Sequence, residues 1–174
     1  LIVTSVSPAV SQELIENGLS KTPYVVPNGL KSDLKVNASK LEAREIIKER
    51  YELEFSQDDQ LLIYIGRITE IKQPLLLIEI FKRINSVKPN THLLVIGSGN
   101  LLKKLKRKKE DIRNLHVIGG IPHKEIPIFL RASDAFISLS CYEGLPLSVL
   151  EAASLGLPLI LSDIPAHRWI ISLT

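Results

Sequence analysis

Five short aliphatic runs recur along the chain, at 61–65, 92–96, 115–118, 135–139 and 158–161. Each is four or five residues long, which suits a strand covered on both faces better than a helix. Between them lie 74–87, 101–112, 124–132 and 147–155, whose lengths suit crossover helices. Alternation at this rhythm implies right-handed βαβ units, so the chain is predicted to form an α/β fold with a doubly wound parallel sheet. Four of the predicted strands end at Gly66, Gly97, Gly119 and Ser140. Ligands of such sheets bind at the carboxyl ends of the strands.

The first sixty residues follow a different plan. Segments 1–5 and 24–27 read as strands with a helix over 9–17 between them, and 41–51 reads as a charged amphipathic helix. Asn28-Gly29 marks a turn, and 32–39 is polar and reads as loop. The chain has 174 residues, enough for one well-cored domain. It contains no methionine and begins at Leu1, so a piece of a longer protein is expected.

Composition removes several function classes. Lys plus Arg is 22 against 19 for Asp plus Glu, and aromatics are 5% of the chain. Neither the charge balance nor the supply of stacking residues favours nucleic acid. The single cysteine, Cys141, excludes an internal disulfide and a cysteine zinc cluster. No apolar run reaches the ~18–20 residues of a membrane span. The sequon Asn37-Ala38-Ser39 carries little weight without a secretory signal. Residues 103–109 hold six cations in seven positions. The plain reading is a solvated helix face with Leu101, Leu105 and Ile112 turned inward; the sharper one is contact with anionic lipid or a polyanionic acceptor.

Three segments could carry chemistry. In the first, Gly66-Arg67-Ile68-Thr69-Glu70-Ile71-Lys72, a forked guanidinium and a mobile ammonium would stand at the carboxyl edge of the sheet, where they suit a diphosphate. Both are equally ordinary surface cations. The second runs from Glu143 to Glu151. Pro146 fits the first turn of a helix, leaving the amides of Leu147 and Ser148 directed at an anion, with Gly144 keeping the approach open. Gly156 fits the C-terminal cap. By spacing alone Glu151 is a solvent-facing helical residue; the functional alternative is a carboxylate accepting from a ribose diol. Glu143 is either a helix-dipole partner or a crevice residue. The third, Gly97-Ser98-Gly99, is incomplete as a dinucleotide fingerprint because Leu102 stands at the third glycine position, and no P-loop is present.

Taken together, Gly66-Arg67 with Lys72, then Gly97-Ser98-Gly99, then Glu143 and Glu151 seven intervening residues apart, resemble the group 1 (family 4) glycosyltransferases. These are retaining, nucleotide-sugar-dependent enzymes of the GT-B fold. The resemblance implies a Rossmann-like C-terminal half of that fold over residues 24–174, with 1–23 as the junction to an acceptor domain that lies outside this sequence. It implies that Arg67 and Lys72 contact the donor diphosphate. It further implies that Glu143 lies by the sugar hydroxyls, that the backbone from Gly144 through Leu145 and Pro146 to Leu147 touches sugar and phosphate, and that Glu151 holds the ribose. Gly66 would let the ligand approach, and main chain around Ile118, Gly119 and Ile121 would meet the base. No metal or other cofactor is expected, the nucleoside diphosphate sugar being the substrate. The acceptor would be a glycan or lipid-linked glycan, and the location the cytoplasm, with peripheral membrane contact as the further reading of the basic run.

The chain departs from the family pattern at two places. Gln73 follows the motif lysine where relatives often carry Gly, and Trp169 stands where they often have Glu. The family's further helices would lie after Thr174, so the last strand is expected to lack cover and to expose apolar surface. His92, His116, His123 and His167 lie outside the three segments and read as structural or surface groups, and Cys141 as a packed residue. Two other readings stay open: a GT-B sugar-nucleotide epimerase or phosphorylase, and a non-catalytic nucleotide-binding module.

Overall fold

The computed structural model describes residues 2–30, 36–109 and 112–173. Its elements run in the order β1 (Thr4–Ser5), α1 (Pro8–Glu16), β2 (Tyr24–Val25), α2 (Lys40–Tyr51), β3 (Gln60–Ile65), α3 (Pro74–Val87), β4 (Thr91–Ile96), α4 (Leu102–Lys109), β5 (Leu115–Gly119), α5 (Ile126–Ala132), β6 (Ala135–Ser138), α6 (Leu147–Ser154), β7 (Leu159–Leu161) and α7 (Pro165–Ile171). The predicted strand–helix alternation therefore holds, with ends that coincide or move by up to three residues. Two single-turn 3-10 helices, Glu70–Lys72 and His123–Glu125, and helix α7 were not anticipated. Residues 32–35 of the predicted polar loop lie outside the described residues.

The main sheet has the order β5-β4-β3-β6-β7, and every pair is parallel. The chain moves outward from β3 to β5 and then returns to lay β6 against the other side of β3. That reversal is a topological switch point, the place where ligands of open α/β sheets bind. A separate two-stranded parallel ribbon joins β1 to β2.

Alternation along each strand feeds two cores. Leu61, Ile63, Leu94, Ile96 and Phe136 face one side, with α2, α5, α6 and α7 supplying Ile47, Phe129, Val149 and Ile170. Leu62, Tyr64, Leu93, Val95 and Leu115 face the other, covered by Leu77, Ile78 and Phe81 of α3 and by Leu105 of α4. Leu105 is buried while Lys103, Lys104, Lys106, Arg107 and Lys109 are exposed, so the basic run is a solvated helix face. Leu159 and Leu161 of β7 are partly buried on the first core, so that face of the last strand is covered. Its outward Ile160 is nevertheless exposed, as are Ile171 and Leu173.

Local chemistry explains the helix starts. Ser39 caps α2 through a complete capping box. Its hydroxyl accepts from Glu42 N at 3.2 Å, and Glu42 Oε2 accepts from Ser39 N at 2.7 Å. Those bonds hold the Glu42 carboxyl below its usual range. Gly156 ends α6 at φ +73°, with Gly156 N donating to Ala153 O and Leu157 N to Ala152 O, which is a Schellman closure. Pro146 sits one residue earlier than predicted, as the N-cap of α6, because its ψ of 107° is extended.

Candidate functional site

The carboxyl edge is built on a close approach of two loops. Gly66 N donates to Ile96 O at 3.0 Å, Ile68 N to Ser98 O at 2.8 Å, and Leu101 N to Ile68 O at 3.0 Å. At that spacing a Cβ on Gly97 would lie 1.8 Å from Gly66 O, and one on Gly99 would lie 2.3 Å from Ile68 O. The Gly-x-Gly pair is therefore required by loop packing, whatever binds above it. Tyr64 supports the same turn from below, its buried hydroxyl donating to Arg67 O at 2.8 Å. Burial, with Glu143 nearby, raises the phenol pKa, and Arg67 opposes that shift.

Above these loops is a cleft of about 350 Å³, lined by Gly66, Arg67, Gly97, Ser98, Gly120, Ile121, His123, Leu147, Ser148 and Glu151, with Ile65, Ile96 and Ile126 as its apolar floor. Of the predicted site residues it gathers Gly66, Arg67, Ile121, Leu147 and Glu151. Arg67 is exposed and free to reach a ligand. Glu151 is not the solvent-facing residue that spacing favoured. It is 6% exposed, and its Oε1 accepts from His123 Nε2 at 2.7 Å. The rotation that buries Ala152 and Val149 turns Glu151 toward the sheet edge.

Other predicted residues stand elsewhere. Ile118 packs on the core, and Gly119 is buried in the ladder, where its carbonyl accepts from Gly97 N at 2.8 Å. The strand runs one residue longer than predicted, so Gly120 and Ile121 reach the cleft instead. Leu145 and Pro146 are buried under the loop. Gly144 is half-buried, and a Cβ there would make ordinary contacts with the methyls of Val6 and Val10 at 3.4 and 3.5 Å. Lys72 is not a mobile ammonium. It is ion-paired to Glu143, with side-chain exposures of 14% and 10% for the two residues.

The Lys72–Glu143 pair forms a second polar centre. Ser140 Oγ donates to Glu143 Oε1 at 2.7 Å and lies 3.2 Å from Ser138 Oγ. Cys141 N donates to Ile71 O at 2.9 Å, which ties the post-β6 loop to the turn carrying Lys72. Glu143 borders a cavity of about 470 Å³ between α1 and α7, shared with Gln12, Glu13, Glu16, Tyr142 and Pro165. Cys141 is exposed there, and is not the packed residue expected. His167 is buried close by, its Nδ1–H donating to Ser162 O at 2.9 Å, and burial lowers its pKa.

The histidines thus divide. His92 and His116 lie at the amino edge, rings stacked, Nδ1 of His92 3.0 Å from Nε2 of His116, and His92 Nε2 3.2 Å from Asp59. They are structural, as the sequence reading has it. His123 is a surface residue that also belongs to the cleft. No periodic signal marks it; its one pointer along the chain is standing two residues beyond the main chain expected at the base. Gln73, the departure after the motif lysine, adopts φ 50°, ψ 44°, the left-handed conformation that Gly takes without strain.

The family described as Glycosyl transferases group 1 matches residues 45–173. An uncharacterized glycosyltransferase of Methanocaldococcus jannaschii is 34% identical over 158 residues, covering 88% of this chain and 37% of that protein. The Escherichia coli UDP-Gal:alpha-D-GlcNAc-diphosphoundecaprenol alpha-1,3-galactosyltransferase is 33% identical over 153 residues, covering 84% of this chain and 38% of its own. The chain therefore spans under two fifths of the length of these relatives. Anabaena HepE, solved with UDP-glucose, superposes with a TM-score of 0.79 over 96% of this chain and 46% of that one. At 16% identity that likeness concerns the fold alone.

Proposed function

This chain belongs to the group 1 glycosyl transferases, and we propose that it is the donor-binding domain of a retaining enzyme that moves a sugar from a nucleoside diphosphate to a glycan or lipid-linked acceptor. The observation that carries this reading is the single cleft at the switch point that collects the exposed Arg67, the start of α6 and the buried Glu151. Arg67 spans two oxygens of the diphosphate, and the Leu147 and Ser148 amides meet the same anion with the α6 dipole behind them. Both stabilise the negative charge that builds on the departing nucleoside diphosphate. The reading needs no metal. Glu151 accepts from the ribose diol, and main chain at Gly120 and Ile121 meets the base. Glu143, held in place by Lys72 and Ser140, serves the sugar hydroxyls.

The E. coli relative is named for a UDP-galactose donor and a diphosphoundecaprenol-linked acceptor, which supports a UDP sugar and a lipid-linked acceptor here. The acceptor is held by a domain outside this sequence. In the cytoplasm, the cationic face of α4 draws the enzyme to anionic lipid as a peripheral contact. No helix among the described residues is long and apolar enough to cross a membrane.

Calorimetric titration with UDP, GDP, ADP and their sugars tests the donor site. One nucleoside diphosphate binds, and Arg67→Ala weakens it by about tenfold, the loss of one charge-assisted contact. A folded chain that binds none of the three overturns the reading. Retention is read from the anomeric configuration of the product made by the full-length enzyme.

A further inference from the structure

We propose that His123 is a positioning residue for the Glu151 carboxylate and that it gives the cleft its preference for ribonucleotides over deoxyribonucleotides. The inference rests on the assignment of Glu151 to the ribose. Its starting point is a contrast in exposure: the Glu151 side chain is 8% exposed, that of His123 is 58% exposed, and a 2.7 Å hydrogen bond joins them. Among the described residues His123 is the one side chain bonded to that carboxylate. A vicinal diol is best met by both carboxylate oxygens at once, in one plane with the two hydroxyls. The terminal torsion of a glutamate is broad, so nothing within Glu151 fixes that plane. A donor on Oε1 does fix it, and each oxygen keeps a lone pair for a ribose hydroxyl.

The turn that carries His123 is itself held. Glu125 N donates to Pro122 O at 2.9 Å. The Glu125 carboxylate accepts from Tyr51 Oη at 2.6 Å and from Arg50 Nη1 at 3.1 Å, tying the turn to α2. Ile121 packs on the core before His123, and Ile126 is buried after it. The imidazole is thus exposed to an incoming nucleotide while its backbone is anchored on both sides. Pre-ordering of this kind is what a positioning group requires.

The test compares UDP with 2′-deoxy-UDP, and the ADP and GDP pairs in parallel, by calorimetry on the parent chain and on His123→Ala, His123→Gln and Glu151→Ala. The parent prefers the ribonucleotide by about tenfold. His123→Ala reduces that ratio to under about twofold by weakening the ribonucleotide more than the deoxynucleotide, and His123→Gln, whose amide still donates, restores it. If His123→Ala keeps the parent ratio while Glu151→Ala abolishes it, the ribose site stands and the role of His123 is overturned. Equal weakening of both nucleotides by His123→Ala overturns it as well. If Glu151→Ala keeps the ratio, or the parent shows none, the ribose assignment itself fails and takes the inference with it.

Discussion

The two edges of the same parallel sheet handle polar side chains in opposite ways. At the amino edge, Arg44 is 3% exposed and engaged at all three nitrogens: Nε donates to Ala132 O at 3.1 Å, Nη1 to Gln57 O, and Nη2 to Asp134 Oδ2 at 2.8 Å. Asp134 also accepts from Leu61 N at 2.6 Å, so one carboxylate joins α2, β3 and β6. His92, His116 and Asp59 close a second cluster beside it. At the carboxyl edge, Arg67 and His123 stand exposed around a cleft, and the tight contacts beneath them are made by backbone. Polar groups that are mutually satisfied stabilise a fold. Polar groups held at an opening by a rigid floor are available to a ligand.

The contrast is sharpest if the amino edge is broken. Asp134→Ala leaves the buried Arg44 guanidinium without its counter-charge, so a loss of about 3–5 kcal/mol is expected in urea unfolding. Nucleotide affinity of the remaining folded protein should be unchanged. A variant as stable as the parent would contradict the structural role given to this edge.

The histidine pair predicts a pH dependence of nearly the same size. Burial lowers the pKa of both rings, that of His116 to about 4, with His92 and Lys109 adding to the His116 shift. Asp59 opposes the shift of His92, and Arg113 and Arg44 assist it. The unfolded chain therefore binds protons first. Stability is complete above the ordinary histidine range near pH 6.5 and falls as the pH drops toward 4, by up to about 3 kcal/mol for His116. Denaturant midpoints measured from pH 7 to 4.5 follow this course, and His116→Asn flattens it. An unchanged slope in that variant would assign the acid sensitivity elsewhere.

At the carboxyl edge, Gly97→Ala drives a Cβ into the Gly66 carbonyl, and a loss of about 2 kcal/mol is expected together with weaker nucleotide binding. That pairing of effects separates it from Asp134→Ala, which costs stability alone. The smallest change expected is a gain. Gln73→Gly relieves the left-handed backbone before Pro74, worth about 1 kcal/mol at most once the freer unfolded chain is counted. A lower melting temperature for Gln73→Gly would show that the glutamine makes a compensating contact.

Much of the architecture was legible because it depends on local pattern. Apolar runs of four or five residues between helical stretches determined parallel strands and crossover helices, and the glycines and Ser140 at the ends of four predicted strands marked the edge where the cleft lies. The spacing from Glu143 to Glu151 marked one helix and its approach, and the residues after β3 supplied Gly66 and Arg67. What sequence left undecided was which side chains meet. Glu151 was as easily a solvent residue as a buried one until α6 was rotated against the sheet. Lys72 became an ion-paired group only when the loops after β3 and β6 came together. His123 entered the cleft because a turn after β5 is tied to α2 through Glu125, Tyr51 and Arg50, residues more than seventy positions apart in two of those contacts. Pattern along the chain fixes secondary structure because that physics is local; the choice of partners belongs to distances closed only when the layers pack.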